Sequence, residues 1–323
     1  MNRRAFLALG AGCVAAAPAL AQQAGRGPLQ LVIPYAPGGG SDILARPLAP
    51  VLSERLQQSV VIENRGGAAG NIGTAAVAHA APNGSVALIA NNSQVINPYL
   101  YQDAGYDVAR DFAPVALMAT TPVVLVVPAS LPARSVADLL ALAQRQPGGL
   151  NFGSPGAGTP GHLAAVLFGQ EAGIPLVHVP YRGSGPTTVA LLAGEVQMSF
   201  STAAAVEPHV RSGALRALAV TSRERFARLP DVPTVAELGV PQLADFEIDV
   251  WYGLWMPAAT PEPVLDRVHA AMEDSLRDER LRQVLVSNAL VPRGGSRAAF
   301  QAMVVEESER WRKVIANNRI AVD

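Results

Sequence analysis

The strongest constraint on this chain is a repeated local pattern: a short apolar run, a turn dense in glycine or proline, then apolar residues at helical spacing. Leu29–Ile33 is the first run, closed by Pro34, and Ser41–Gln57 follows with Ile43, Leu44, Leu48, Val51, Leu52 and Leu56 near a 3.6-residue period. Val60–Ile62 (strand), Asn71–His79 (helix) and Val86–Ala90 (strand) repeat it. Val115–Met118 and Val123–Val127 read as two further strands, then Ser135–Arg145 as a helix with Ser135 and Asp138 at capping-box spacing. Leu150–Gly153, Leu176–Val179, Met198–Ser201 and Leu215–Val220 read as strands, and Thr159–Ala172, Thr187–Ala193 and Ala203–Ser212 as helices. This alternation predicts an α/β fold with parallel sheets covered by helices on both faces. About eleven strand candidates exceed one compact open sheet, so two α/β domains are expected.

The C-terminal third differs. Phe246–Met256 is extended and holds Trp251, Tyr252 and Trp255. Helices are expected over Pro261–Arg277, Glu279–Ser287 and Arg297–Asn317, the first with Thr260 as N-cap and Pro261 at the first helical position. No low-complexity linker separates the domains, which implies strands that cross between them as a stiff hinge.

Met1–Ala21 reads as an export signal rather than fold: Arg3 and Arg4, an apolar run over Ala5–Ala17, and the small-residue site Ala19-Leu20-Ala21, leaving Gln22 as the mature N-terminus. Arg3-Arg4-Ala5-Phe6-Leu7 also resembles a twin-arginine signal. Beyond it no stretch of 18 uninterrupted apolar residues occurs, so a soluble mature protein is expected. Net charge is −1 and charged residues make up 16%, too balanced a surface for a nucleic-acid backbone or an anionic membrane. The one cysteine, Cys13, excludes a disulfide framework or a cysteine-ligated metal. Of 25 basic residues only Lys313 is a lysine, which argues against P-loop and Schiff-base chemistry.

Four glycine-rich turns follow strand candidates. Pro34–Asp42 contains Gly38, Gly39 and Gly40 before a helix, where backbone N–H groups and the helix start favour an anion; the alternative is a tight turn capped by Ser41 or Asp42. Asn64–Gly73 is the second, and the polar cluster Asn91-Asn92-Ser93-Gln94 follows the third strand at a sheet's carboxyl edge. In Gly153–His162, Gly156, Gly158 and Gly161 spell G-x-G-x-x-G, but no acid follows the next strand; Arg182 stands there and would suit a 2′-phosphate. Tyr181-Arg182-Gly183-Ser184-Gly185-Pro186 is the fourth, its guanidinium suited to a carboxylate or to a surface ion pair.

Enzyme signatures are missing. Neither Ser154 nor Ser184 lies in G-x-S-x-G, no H-E-x-x-H occurs, and the five histidines lack metal spacing. His162 reads as a hydrogen-bonding residue at a helix N-terminus, although a triad assembled in space stays open.

Together these segments resemble the substrate-binding proteins of tripartite tricarboxylate transporters, the Bug-type receptors. The resemblance runs from about Leu29 to the C-terminus. It is carried by Pro34–Asp42, Glu63–Gly66 with Gly70–Gly73, Pro82–Gly84, Asn97-Pro98 with Leu100-Tyr101, and Tyr106-Asp107 with Asp111–Val115. Gly153–His162, Pro180–Gly183, Leu215–Thr221 and Trp251–Leu254 with Pro257 complete it. It implies a type II-like periplasmic binding protein whose two α/β domains, joined by a two-strand hinge, close on a small organic carboxylate in the cleft between them. The expected division is a signal over 1–21, a discontinuous first domain over 22–122 plus 223–323, and a second over 123–222, with hinges near Pro122–Val127 and Val220–Arg223. The expected ligand contacts are Gly38, Gly39, Gly40, Ser41, Asp42, Asn92, Ser93, Ser154, Gly158, Thr159, Tyr181, Arg182 and Ser201. Permease subunits are the implied partners of a monomeric, non-enzymatic receptor, with no cofactor, metal or nucleic acid. Two departures stand out: Gln197–Thr202 lacks the acid the family often has there, which disfavours an amino-acid ligand, and Gly66 replaces a usual proline. The rival readings are an exported hydrolase or NADP-dependent oxidoreductase, or a binding module that signals to a sensor.

Overall fold

The computed structural model describes residues 27–322. The export segment expected over Met1–Ala21 lies outside the described residues.

The elements follow in chain order as β1 (Leu29–Ile33), α1 (Gly40–Leu56), β2 (Val60–Asn64), α2 (Asn71–Ala78), β3 (Val86–Asn91), α3 (Asn92–Ile96), α4 (Val108–Asp111) and β4 (Phe112–Pro128). Next come α5 (Val136–Arg145), β5 (Leu150–Ser154), α6 (Pro160–Ala172), β6 (Leu176–Pro180), α7 (Ser184–Ala193), β7 (Met198–Thr202), α8 (Ala203–Arg211) and β8 (Leu215–Val220). The chain ends with β9 (Asp249–Pro257), α9 (Glu262–Arg277), α10 (Glu279–Ser287), β10 (Val291–Pro292) and α11 (Arg297–Asn318).

Local chemistry explains most boundaries. Ser135 caps α5 in a reciprocal box with Asp138. Thr159 caps α6, Pro160 opens it, and Gly173 closes it in the left-handed conformation. The expectation for α9 is corrected: Pro261 itself is the N-cap, and the Thr260 hydroxyl is buried without a partner among the described residues.

The sheets are mixed, not parallel throughout. The strand order is β2-β1-β3-β9-β4-β7-β5-β6, with β8 and β10 also paired to β4. Pairings β1–β2, β1–β3, β5–β6 and β5–β7 are parallel, whereas β9 and β4 run antiparallel to their neighbours. The two strand candidates over Val115–Val127 are one strand of 17 residues, β4, which serves both sheets. From Phe112 to Pro122 it pairs with β9; from Val123 and Val124 onward it lies between β7 and β8. Proline suits this point, because it lacks an N–H just where the ladder changes partners.

The return crossing is tied to the same spot. Buried Thr221 donates its N–H to the Val123 carbonyl (2.9 Å), accepts from the Val123 N–H (3.2 Å), and donates its hydroxyl to the Ile248 carbonyl (2.5 Å). Ile248 N–H in turn donates to the Thr221 carbonyl (3.1 Å). Both chain crossings between the sheets therefore meet at one residue. Buried Trp251, Trp255, Phe300 and Trp311 anchor β9 and α11 in the first lobe, and Phe152, Phe168 and Phe200 fill the second.

Candidate functional site

Carboxyl ends of parallel strands from both sheets face one another across a gap, the usual place for a ligand in α/β sheets. The gap holds a partly open pocket. The first lobe lines it with Ile33, Tyr35, Ala36, Gly39–Asp42, Asn91, Ser93, Val250 and Tyr252. The second lobe adds Pro155, Thr159–Gly161, Ser184, Phe200 and Thr202, and Val123 lies at the junction.

Helix starts dominate the polar part of the lining. Gly40 and Ser41 open α1, Pro160 and Gly161 open α6, Ser184 opens α7, and Thr202 precedes α8. Each helix start carries N–H groups without intrahelical partners and a partial positive charge. A side chain normally takes up one of those N–H groups. Here α1, α7 and α8 have no side-chain cap; their N-cap residues are Gly39, Gly183 and Thr202. Three donor-rich helix ends are thus left facing one pocket.

Asp42 is the one charged side chain in this lining, and its charge is neutralised from outside. Its carboxylate accepts from Arg46 Nε (2.8 Å) and a second Arg46 nitrogen (2.9 Å), from Gly38 N–H (3.1 Å) and from Asn64 (3.3 Å). Burial would raise its pKa, but these bonds hold it below the usual carboxylate value. The cavity therefore presents donors and hydroxyls to a ligand, with no exposed negative pole and no cationic side chain among the lining residues.

The lobes touch on both sides of the cavity. Ala36 N–H donates to the Arg182 carbonyl (3.2 Å), and the Tyr101 hydroxyl to the Ala157 carbonyl (2.6 Å). A side chain at Gly185 would collide with the Pro37 carbonyl, one at Gly156 would press on Ala69, and one at Gly158 would collide with Asn97. Gly161 backs onto the Phe200 carbonyl in the same way. The G-x-G-x-x-G glycines are thus occupied by close packing, two of them between lobes, which removes the reason to read them as a pyrophosphate cradle.

Of the expected contact residues, Gly39, Gly40, Ser41, Asp42, Ser93 and Thr159 lie in the lining. The other seven lie outside it. Gly38 sits against Gly185 and donates to Asp42. Asn92 turns away to the Asp249 carbonyl, Glu307 and the Trp251 N–H. Buried Ser154 bonds His178 Nε2 (2.6 Å) and the Gly156 backbone. Gly158 N–H donates to His162 Nδ1 (3.1 Å). Tyr181 reaches Glu195 on the outer side, Arg182 is exposed and contributes its carbonyl to the lobe contact, and Ser201 bonds Ser199 (2.8 Å). Ser201 directly precedes the inward-facing Thr202 in β7, so strand alternation turns it to the other face. Tyr35, Asn91, Ser184, Thr202 and Tyr252 were missed. All five belong to segments that stand out in the sequence, but which member faces inward is set by the tertiary fold.

The His162 and His178 rings lie 4.2 Å apart, and His178 also stacks on Phe152. Burial, and then His178, pushes His162 down to about 3; burial pushes His178 down to about 4. Both are neutral near pH 7, as the Gly158 N–H bond to His162 Nδ1 requires. They hold the turn in place and offer no base to the cavity.

A family model described as the tripartite tricarboxylate transporter family receptor matches residues 44–320. A protein of Pseudomonas sp. (strain P51), named for the tcbD-tcbE intergenic region, is 38% identical over 91% of this chain and 87% of its own length. Two solved structures superpose closely. The periplasmic binding protein BugD has a TM-score of 0.87 at 29% identity, over 92% of this chain and 99% of that one. R. palustris Rpa4515 with adipate has a TM-score of 0.86 at 36% identity, over 91% and 97%.

Proposed function

The chain belongs to the tripartite tricarboxylate transporter receptor family, and from that membership we propose that it captures a small organic carboxylate in the periplasm and hands it to membrane permease subunits. It is a solute receptor, not an enzyme. The observation that carries the ligand class is the convergence of three uncapped helix starts, α1, α7 and α8, on one pocket between the lobes. Their N–H groups offset a carboxylate's charge without a lysine or arginine. Each hydrogen bond to a charged oxygen nets about 1.5–3 kcal/mol, and a micromolar dissociation constant needs about 8 kcal/mol after the costs of closure. Four to six such bonds gross about 6–18 kcal/mol, the scale that this requires. The adipate bound by Rpa4515 supports an organic acid as the ligand.

In this reading residues 22–122 plus 223–323 form one domain and 123–222 the other. The hinge lies where β4 changes sheets at Pro122 and Val123 and where Thr221 ties the return crossing. Ligand contacts to both lobes favour the closed arrangement.

A thermal-shift screen of the purified protein against mono-, di-, tricarboxylic and aromatic acids tests the proposal, since a ligand selective for the folded state raises the melting temperature. A saturable shift with one or more acids is the expected result. Silence across the panel overturns it.

A further inference from the structure

Two side-chain hydroxyls in the cavity lining, Ser93 Oγ and Thr202 Oγ1, are buried and face only a tyrosine hydroxyl each, Tyr35 and Tyr252 respectively. A hydroxyl has one donor and two acceptor positions, so each keeps capacity for a ligand in the cavity. Thr202 is the more telling. It ends β7 and is the N-cap of α8, where a threonine hydroxyl ordinarily accepts from its own helix, yet it makes no capping bond. Its backbone pairs with Val123, the first β4 residue beyond the sheet crossing.

Tyr252 reaches the same point from the other sheet. Its ring is buried and its hydroxyl occupies the volume that a side chain at Gly40 would need; Thr202 Oγ1 is the next atom around that position. Burial pushes the phenol far above its ordinary pKa, so it stays a neutral donor. Thr202 Oγ1, Tyr252 Oη and the start of α1 therefore converge, although Thr202 belongs to the second lobe and the others to the first.

We propose that Thr202 and Tyr252 are specificity-determining residues that jointly donate to one carboxylate group seated on the α1 N-terminus, so that recognising the anion and closing the lobes are a single event. This rests on the carboxylate-receptor reading. Either hydroxyl alone is available in an open protein; only closure places both on one acceptor.

The experiment is calorimetric titration of wild-type, Thr202→Val, Tyr252→Phe and the double variant with adipate and with the acid giving the largest thermal shift. Each single variant is expected to weaken binding about tenfold or more, the scale of one charged hydrogen bond. The double variant should lose less than the product of the two, because the first loss already prevents the joint contact. Thr202→Ser, which keeps the hydroxyl, should restore most of the affinity, a result that loss of packing does not explain. Small-angle scattering should show acid-induced compaction in the wild type and less in the Thr202→Val variant. Wild-type affinity in both single variants overturns the proposal while leaving the receptor reading intact. Absence of binding by the wild type overturns both.

Discussion

Gly40 and Tyr252 interlock: the Tyr252 hydroxyl fills the space that a side chain on Gly40 would take. The start of α1 and the middle of β9 lie far apart in sequence, yet each requires the other's shape. Gly40→Ala forces a buried phenol to move, and overpacking of this kind costs about 1–3 kcal/mol. It should lower the melting temperature and weaken acid binding. Gly39→Ala is the control, because its added carbon meets Ser184 at 3.4 Å, ordinary contact. Calorimetric melting curves that rank Gly39→Ala below wild type as far as Gly40→Ala would contradict the interlock.

Gly158 serves the contact between lobes. Its φ of +93° is unfavourable for any other residue, and an added carbon would collide with Asn97 on the opposite lobe. The left-handed backbone alone costs about 1–2 kcal/mol for alanine. Gly158→Ala should weaken ligand binding more than it weakens folding, and should leave a larger radius of gyration at saturating acid. Unchanged affinity would mean that this contact plays no part in closure.

Thr221 predicts a hinge effect. Thr221→Val keeps the shape but strands the Ile248 carbonyl and the Val123 N–H, both bonded to the threonine hydroxyl. Leaving such groups unpaired costs about 1–3 kcal/mol. Urea unfolding should show that loss at an unchanged m-value, and Thr221→Ser should recover most of it.

The histidine pair predicts an acid limit. Unfolded histidines protonate near pH 6.5, whereas folded His162 and His178 resist until about pH 3 and 4. The unfolded state therefore binds more protons throughout that window, so stability is full above pH 6.5 and falls as pH drops toward 4. For buried His162 the slope is at most about 1.4 kcal/mol per pH unit. His162→Gln, whose amide oxygen can still accept the Gly158 N–H, should flatten the fall. A denaturation series at pH 7, 6, 5 and 4 reads this directly; equal slopes in both proteins would refute it.

Much of the architecture was legible because its causes are local. Apolar runs such as Leu29–Ile33, the Ser135–Asp138 box and the Thr159-Pro160 start name their own elements. The misreadings involve distant partners. Pro122 looks like a strand break, but it marks where β4 exchanges β9 for β7 and β8. The antiparallel central strands likewise depend on pairings more than 100 residues apart, such as Phe112 with Pro257.

The site divides along the same line. Glycine-rich turns after strands are visible in the chain, because only glycine permits such close backbone approach, and Gly39–Asp42 were identified from them. Tyr181 and Arg182 carry suitable chemistry, but their turn sends them outward. Thr202 and Tyr252 lie in segments that stand out in the sequence, but nothing local says that their hydroxyls face the cavity. The amino-acid order alone determined the α/β elements, the donor-rich turns and the scarcity of lysine. Only tertiary structure decided which hydroxyls face the cavity, because strand pairing through β4 sets each side chain's direction, and that pairing is a non-local choice made when two sheets share one strand.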